Sequence, residues 1–316
     1  MRVAVLGCGR WGTFLAWYAH RLGYETTLWG RPGSANLARL RERRANEFLE
    51  LPSSIKLETN LEAALAGADF ALISVHAQGL RELLHSLPAG GPACVLCMKG
   101  LEIATGQRLT QVFAEVRGPE AEVAVWVGPG HVQSFLAGIP NCMVVDSPRE
   151  ELSGRVIEAF GSDLIRFYYG GDLVGNEVGA ATKNVIGLAA GMLDGLNLTA
   201  LKGALMARAP REIARLIEAM GGDGRTAYGL AHLGDYEATL FSPYSNNRLY
   251  GENWVLGRST DKVAEGLPTL RAVWKLAGER GLDLPICGCL HAILTQGREP
   301  RAELDKLFKR SLKREF

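Results

Sequence analysis

The amino-terminal segment constrains the fold most, because a strand pattern leads directly into a glycine motif and then into a helix pattern. Arg2–Leu6 is a short apolar run, and the next residues have the spacing G-x-G-x-x-G. In this context the first glycine permits a tight turn, the second lets a pyrophosphate approach the backbone, and the third lets the helix pack against the strand. The predicted dinucleotide-binding residues are Gly7, Gly9 and Gly12, with Arg10 and Trp11 between them.

The end of the second predicted strand bears on the choice of cofactor. An acidic residue there would bind the ribose hydroxyls of NAD, but the sequence reads LWGR and places Arg31 after the strand. Arg31 could contact a 2′-phosphate or stack on adenine, which favours NADP, or it could be an ordinary surface arginine. We therefore expect NAD or NADP as cofactor.

Strand and helix patterns alternate through the first half of the chain and then give way to helices. Such alternation predicts an α/β fold with a Rossmann-like, doubly wound parallel sheet. We place the boundary at Gly170–Gly171, with a dinucleotide-binding domain over residues 1–170 and an all-helical substrate domain over 171–316. A substrate site is expected in the cleft between them. The predicted strands are Arg2–Leu6, Glu25–Trp29, 70–75, 93–98, 122–127 and 142–145, and the predicted helices of this half are 61–66, 78–87, 107–116 and Glu150–Phe160.

Charge and composition argue against several classes of partner. The net charge is +1 and no long basic block occurs, which argues against a nucleic-acid partner or a polybasic membrane anchor. The longest apolar run, near residues 185–193, is too short and too rich in glycine to span a bilayer. No signal-peptide pattern precedes the first strand. We expect a cytoplasmic protein without membrane insertion.

The cysteines do not suggest a metal site. Cys94 and Cys97 have C-x-x-C spacing but lie in one predicted strand, whose alternation points them to opposite faces. Buried thiols in a reducing compartment are the simpler interpretation.

A glycine-rich helix pattern opens the second half and contains one lysine. Gly175, Gly179, Lys183, Gly187 and Gly191 recur every four residues, so they lie along one face. Each glycine costs about 1 kcal/mol relative to alanine, which indicates that another element packs closely on this face. Lys183 should therefore point into a crowded cleft, although a lysine that covers small-residue packing is the alternative.

Reduction of a ketone places negative charge on the carbonyl oxygen, and a cation or proton donor must meet that charge. Lys183 fits this role, and Lys99, which follows a predicted strand, could supply a second cation. Asp235 is predicted to lie near a lysine and orient it. His232 is a rival proton donor, although a lone histidine is more often a packed side chain. Arg248, in the loop S-N-N-R at 245–248, could bind an anionic substrate or be a surface arginine after a helix cap.

Several motifs together resemble one family, the bacterial NAD(P)-dependent glycerol-3-phosphate dehydrogenases. They occur in the family's order across residues 1–257: GCGRWG at 7–12, KGLE at 99–102, VGP at 127–129, EVGAATKN at 177–184, DGL at 194–196, GLAHLGD at 229–235, and NR at 247–248 with Gly251. The resemblance implies reduction of dihydroxyacetone phosphate to sn-glycerol 3-phosphate, a role in phospholipid precursor supply, and a cytosolic homodimer.

The resemblance also implies residue roles. Lys183 would be the general acid and base, Lys99 would bind and polarise the substrate next to the cofactor, and Asp235 would belong to the catalytic network. The implied substrate-binding positions are Asn184, Thr239, Asn246, Asn247 and Arg248, the last also near the cofactor.

One departure concerns substrate recognition. The family normally has an arginine where this chain has Asn246, and loss of that group would remove a charge-assisted contact to the substrate phosphate. Arg248 or Lys202 could compensate. Otherwise the chain could reduce another small carbonyl compound, or be a weakly active cofactor-binding sensor. Further departures from the family pattern are His76, Gly130, His131, Ser134, Ala200 and Pro210.

Overall fold

The computed structural model describes residues 1–259, 264–311 and 314 of the 316-residue chain. Contacts within the chain divide it into two compact units. The first comprises Met1–Lys99 and Gln107–Glu177, and the second comprises Gly100–Gly106 and Val178–Phe316.

An eight-stranded sheet forms the centre of the first unit. Its central strands are apolar along their whole length, and Val3 to Leu6 are almost fully buried, as expected for strands covered on both faces. In chain order the strands are β1 (Arg2–Leu6), β2 (Glu25–Trp29), β3 (Lys56–Glu58), β4 (Phe70–Ile73), β5 (Ala93–Leu96), β6 (Val123–Val127), β7 (Asn141–Asp146) and β8 (Ile165–Tyr169). Their order across the sheet is β3-β2-β1-β4-β5-β6-β7-β8.

The sheet is not entirely parallel, contrary to the prediction. Strand β7 runs antiparallel to β6, whereas the other neighbouring strands pair in parallel. The connection between β6 and β7 holds only a five-residue helix, Val132–Leu136, which rises about 7.5 Å. A five-residue strand such as β6 spans about 17 Å. The helix is therefore too short to carry the chain back along the strand, and β7 returns in the opposite direction.

Helices accompany the strands of the first unit. Apolar faces bind them to the sheet, as in α1, where Phe14, Leu15, Ala16, Tyr18 and Ala19 are fully buried. The helices are α1 (Arg10–Arg21), α2 (Ala35–Arg43), α3 (Leu61–Leu65), α4 (Leu80–Ser86), α5 (Leu109–Arg117), α6 (Val132–Leu136) and α7 (Glu150–Phe160). The predicted α/β fold with a doubly wound sheet is therefore confirmed. The sequence patterns did not predict β3, β8, α2 or α6.

Helices joined by loops form most of the described part of the second unit. Its helices are α8 (Leu173–Gly195), which begins in the first unit, α9 (Lys202–Ala219), α10 (Asn246–Val255), α11 (Gly266–Arg280), α12 (Pro285–Gln296) and α13 (Pro300–Phe308), with a π-helical turn at Glu237–Phe241. Helix α9 continues through Pro210. Among the described residues, no helix has both the length and the apolar character needed to cross a bilayer.

The division by contacts falls later than the predicted Gly170–Gly171 boundary. The side chain of Asn176 donates to Asp146 Oδ2 at 2.7 Å. The Glu177 carboxylate accepts from the backbone and hydroxyl of Thr110, at 2.9 and 2.6 Å, and from Arg108. These bonds attach the first turn of α8 to the sheet unit, so the helix start alone does not mark the boundary.

Candidate active site

The glycine loop between β1 and α1 has the shape that a pyrophosphate requires. Gly7 has φ +118°, and a Cβ there would overlap the carbonyl oxygen of Ser74. A Cβ on Gly12 would overlap the carbonyl oxygen of Gly7, whereas nothing lies within 4 Å of a Cβ built on Gly9. Two glycines are therefore fixed by packing, and the third faces open space at the amino end of a 12-residue helix. This arrangement fits the phosphates of a dinucleotide.

Arg10 and Trp11 lie in the first turn of α1. The guanidinium of Arg10 donates to Gln133 Oε1 at 2.5 Å and lies over the Phe48 ring. Trp11 stacks on Phe14 with ring centroids 5.0 Å apart. Both side chains are held by the protein, and their contact with a cofactor stays a prediction. Arg31 is exposed directly after β2, so its assignment to a 2′-phosphate stays a prediction too.

Lys99 lies just beyond the carboxyl end of β5. Its Nζ donates to the carbonyl oxygen of Gly128, which follows β6, at 2.8 Å. Strands β5 and β6 are parallel, so both residues lie at the sheet edge where α/β proteins bind ligands. The structure therefore places Lys99 at the carboxyl ends of two strands, and its contact with a substrate or cofactor stays a prediction.

Lys183, Asp235 and Thr239 form one constellation in the second unit. Lys183 Nζ lies 2.9 Å from Asp235 Oδ2 and donates to Thr239 Oγ1 at 2.8 Å. Thr239 in turn donates its hydroxyl proton to the carbonyl oxygen of Asp235 at 2.7 Å. The Lys183 side chain is 12% exposed and that of Asp235 2%. The ammonium group is thus held in a fixed position while part of the side chain still reaches the surface.

His232 is a packed side chain with a hydrogen-bond partner at each ring nitrogen. It is fully buried, its Nδ1 lies 2.8 Å from the carbonyl oxygen of Gly179, and its Nε2 lies 2.6 Å from the hydroxyl of Tyr236. A neutral ring satisfies both contacts if Nδ1 donates and Nε2 accepts. Burial lowers the pKa of His232 to about 4. The ring is therefore neutral near pH 7 and supports the helix that carries Lys183.

The two basic residues that could replace the missing arginine converge on one carboxylate. Arg248 donates to Asp194 at 2.9 Å and to Glu252 at 2.8 Å. Lys202 Nζ donates to Asp194 at 2.7 Å and to the carbonyl oxygen of Leu240 at 2.8 Å. Burial raises the pKa of Asp194, but the hydrogen bonds from the two cations outweigh it and the net pKa is lowered. Neither charge is uncompensated.

Asn246 and its neighbours begin helix α10. Ser245 caps the helix by accepting from the backbone of Arg248 at 3.3 Å, and Asn246 is exposed in the first turn. Asn247 is buried: it donates to Asn184 Oδ1 at 3.0 Å and accepts from the backbone of Gly266 at 2.9 Å. Asn184 and Asn247 therefore tie α8, α10 and α11 together, and their contact with a substrate stays a prediction.

The glycine row of α8 has the packing function that its spacing predicts. A Cβ on Gly191 would overlap the carbonyl oxygen of Arg248, and a Cβ on Gly187 would lie 2.9 Å from Thr239 Cγ2. Gly251 of α10 is equally close to the carbonyl oxygen of Leu188. The helices therefore touch at backbone distance, and this contact sets the position of Thr239 beside Lys183.

Sequence reasoning missed Asp194 and Glu252 as partners of Arg248. A signal was present for both. Glu252 lies four residues after Arg248 on one helix, the spacing of a helical ion pair, and Asp194 belongs to the DGL motif at 194–196.

Two family models and several curated relatives match this chain along its length. A model described as NAD-dependent glycerol-3-phosphate dehydrogenase N-terminus matches residues 2–153, and one described as the C-terminus matches residues 172–305. The glycerol-3-phosphate dehydrogenase (NAD(P)+) of Chlorobium limicola is 36% identical, with 100% of this chain and 99% of that protein covered. That of Streptomyces coelicolor is also 36% identical, with 100% and 98% covered.

A solved structure extends the match to three dimensions. The crystal structure of glycerol-3-phosphate dehydrogenase from Coxiella burnetii superposes with a TM-score of 0.90 at 28% identity, covering 98% of this chain and 99% of that one. The two family models together match parts of both units, and the curated relatives align over the full length of the chain. Both findings identify the same family. This chain belongs to the NAD(P)-dependent glycerol-3-phosphate dehydrogenase family.

Proposed function

We propose that this chain reduces dihydroxyacetone phosphate to sn-glycerol 3-phosphate with NADH or NADPH. The observation that carries the proposal is the Lys183–Asp235–Thr239 constellation in a chain of this family. A held ammonium group with a partly exposed side chain is the donor that carbonyl reduction needs.

The reaction adds one hydride to the carbonyl carbon and one proton to the carbonyl oxygen. The nicotinamide cofactor, when bound, supplies the hydride. Lys183 Nζ donates the proton, so the carbonyl oxygen becomes the product hydroxyl and the lysine is left neutral until it takes a proton from water. Asp235 and Thr239 are positioning residues, because their hydrogen bonds fix the direction of the Lys183 side chain.

In the first unit, the dinucleotide loop and Lys99 are the residues proposed to contact the cofactor and the substrate. The cofactor phosphates would bind the backbone at Gly9, where a Cβ meets nothing within 4 Å. Lys99, fixed by Gly128 at the carboxyl ends of two strands, would contact the substrate or the cofactor and add positive charge. Substitution of Lys99 by methionine should raise KM for the substrate more than it lowers the rate of proton transfer.

This chain has Asn246 where the family normally has an arginine that binds the substrate phosphate. Arg248 is already neutralised by Asp194 and Glu252, and Asn246 offers an amide instead of a guanidinium. Asn246→Arg adds an exposed cation in the first turn of α10, so KM for dihydroxyacetone phosphate should fall about tenfold, the equivalent of one charge-assisted hydrogen bond. The control is the unphosphorylated analogue dihydroxyacetone, whose KM should not change. An unchanged KM for the phosphorylated ketone would show that other residues bind the phosphate.

The direct test is oxidation of NADPH and NADH, followed by absorbance, with a panel of ketones. Turnover with dihydroxyacetone phosphate supports the proposal. Turnover only with other small ketones or aldehydes would favour the alternative substrate class that Asn246 suggests. Cofactor binding without turnover on any ketone would favour a sensor.

The cellular setting is a separate part of the proposal. Family resemblance supports a cytoplasmic homodimer that supplies the glycerol backbone of phospholipids. Light scattering after size-exclusion chromatography tests the dimer, since a homodimer would have twice the 34.2 kDa mass of the chain.

A further inference from the structure

A large cavity lies in the second unit, on the side of α8 opposite to Lys183. Its volume is about 600 Å³, within the range of small-molecule sites. Ala189 and Leu193 of α8 line it. Met192, which also lines the cavity, is nine residues after Lys183, and nine residues correspond to about 180° around a helix. The cavity is therefore separate from the face that carries the proposed proton donor.

Apolar side chains from several helices form most of the cavity wall. They come from α8, α9, α12 and α13, and residues central to the argument are Met192, Leu193, Leu205, Ile286, Leu290 and Ile293. A wall of this composition favours a hydrocarbon ligand, because burial of apolar surface is worth about 25 cal/mol per Å².

Arginines mark one end of the cavity. Arg208, Arg211 and Arg215 line it from one face of α9, at spacings of three and four residues, whereas Leu205 lines it about one turn earlier. The lining therefore changes from apolar to basic along a single helix. An elongated ligand with one apolar and one anionic end matches that order.

Among the described residues, five arginines and two carboxylates, Glu212 and Asp283, line the cavity. Glu212 is buried and accepts from the backbone of Ile286 and Cys287, at 2.8 Å each, at the start of α12. Asp283 pairs with Arg310 at 2.6 Å. The arginines of the lining therefore outnumber its carboxylates, and the net charge of the wall is positive.

Arg215 provides a further observation. Its Nη2 donates to the carbonyl oxygen of Asp283 at 2.9 Å and its Nη1 to that of Arg211 at 3.3 Å. Its Nε is buried and has no hydrogen-bond partner among the described residues. A buried guanidinium donor without an acceptor is costly. Because this atom is closed to solvent, the Arg215 side chain would have to turn for the donor to reach an anionic oxygen in the cavity.

We propose that this cavity binds an amphipathic anion, a single hydrocarbon chain with a carboxylate or phosphate head, with the chain against α8 and α12 and the head at Arg208, Arg211 and Arg215. The site does not depend on the proposed reaction, because it lies on the other side of α8 and its occupation is measured by binding alone.

The test measures binding by calorimetry to the full chain, with probes kept below their micelle concentrations. The probes are dodecyl phosphate, dodecanoate, dodecyltrimethylammonium and butyl phosphate. Both twelve-carbon anions should bind, while the cation of the same chain length and the short phosphate should bind at least tenfold more weakly. Tighter binding of one of these two anions shows whether the site prefers a phosphate or a carboxylate head. Failure of both twelve-carbon anions to bind, or equal binding of the cation, would overturn the proposal.

Two variants and one control locate the site. Cys289→Trp adds an indole to the cavity wall, and Arg208→Glu reverses an exposed charge at its basic end. Each should weaken binding of dodecyl phosphate at least tenfold. Arg271→Glu makes the same charge change on the exposed face of α11, outside the lining, and should have less than a twofold effect. Equal binding by all three variants would place the ligand elsewhere and refute the assignment.

A second copy of the chain is the competing occupant of the cavity. Light scattering with and without dodecyl phosphate separates the two. The proposal predicts that mass is unchanged by the probe and by Arg208→Glu. Dissociation of a dimer by either one would show that the cavity is an interface and would overturn the proposal.

Discussion

Asp194 holds two buried cations, and its substitution tests how the second unit is stabilised. The carboxylate accepts from Lys202 at 2.7 Å, from Arg248 at 2.9 Å and from Thr199 at 3.0 Å. The side chains of Lys202, Arg248 and Asp194 are 5%, 12% and 15% exposed. Asp194→Asn keeps the shape and removes the charge, which leaves Lys202 without a carboxylate in this group.

Breaking a buried ion pair from one side costs about 3–5 kcal/mol. Arg248 keeps Glu252 as a partner, so we expect the lower end, about 3 kcal/mol of unfolding free energy. Lys202→Met removes the other partner, and the double variant should be less destabilised than the sum of the two single variants by at least about 1 kcal/mol. Urea unfolding followed by circular dichroism measures all four proteins. A cost below about 0.5 kcal/mol for Asp194→Asn, or strict additivity, would refute the argument.

The Asp194 carboxylate should also make the stability of the protein depend on pH. The native pKa of Asp194 lies below its ordinary value of 3.8, so the unfolded chain binds more protons in acid. The stabilisation is therefore complete above pH 3.8 and is lost as pH falls through the lower native pKa. Asp194→Asn should remove this part of the acid sensitivity.

Two further perturbations test the packing around the site. Gly191→Ala should destabilise the protein by about 3 kcal/mol, because its Cβ would overlap the carbonyl oxygen of Arg248. The control is Gly203→Ala, in open space on α9, which should be neutral or stabilising by up to about 1 kcal/mol. Equal effects of the two variants in thermal unfolding would contradict the close approach of the helices. Burial lowers the pKa of His232 from 6.5 to about 4. Between pH 6.5 and pH 4 the unfolded chain therefore binds a proton that the folded chain does not. The free energy of unfolding should decrease by about 3 kcal/mol from pH 7 to pH 4 as a result. His232→Gln should flatten that part of the urea midpoint profile, and an unchanged slope would count against a buried neutral ring.

The sequence predicted the elements with strong periodicity and missed those without it. The bounds of β1, β2 and α7 coincide with the predicted ranges, because apolar runs and helical spacing are local signals. Strand β3 has only three residues. In β8 the buried Ile165 and Phe167 alternate with exposed neighbours, but that pattern lies where the chain was expected to change domain.

Strand direction and domain division depend on contacts between distant residues. Strand β7 reads like its parallel neighbours, and only the short α6 connection reverses it. The later division of the units follows from the bonds of Glu177 to Thr110, 67 positions away. Neither pairing has a local pattern.

The sequence predicted those residues of the candidate site that neighbouring residues in the chain mark out. A lysine among glycines and an aspartate among small residues marked Lys183 and Asp235, and the structure places them 2.9 Å apart. The neutralisation of Arg248 was not expected, because it requires Asp194, 54 positions away, to fold back against it.

Proton donation by Lys183 is the central claim, and single-turnover reduction of dihydroxyacetone phosphate by a Lys183→Met variant tests it most directly. The variant keeps an unbranched side chain that is one atom shorter and removes the ammonium group. We expect the reduction rate to fall about 10²–10⁴-fold, the usual contribution of general acid catalysis, while the Kd for NADPH, measured by fluorescence in the same samples, changes less than twofold. A variant that reduces the ketone at nearly the wild-type rate would contradict the account.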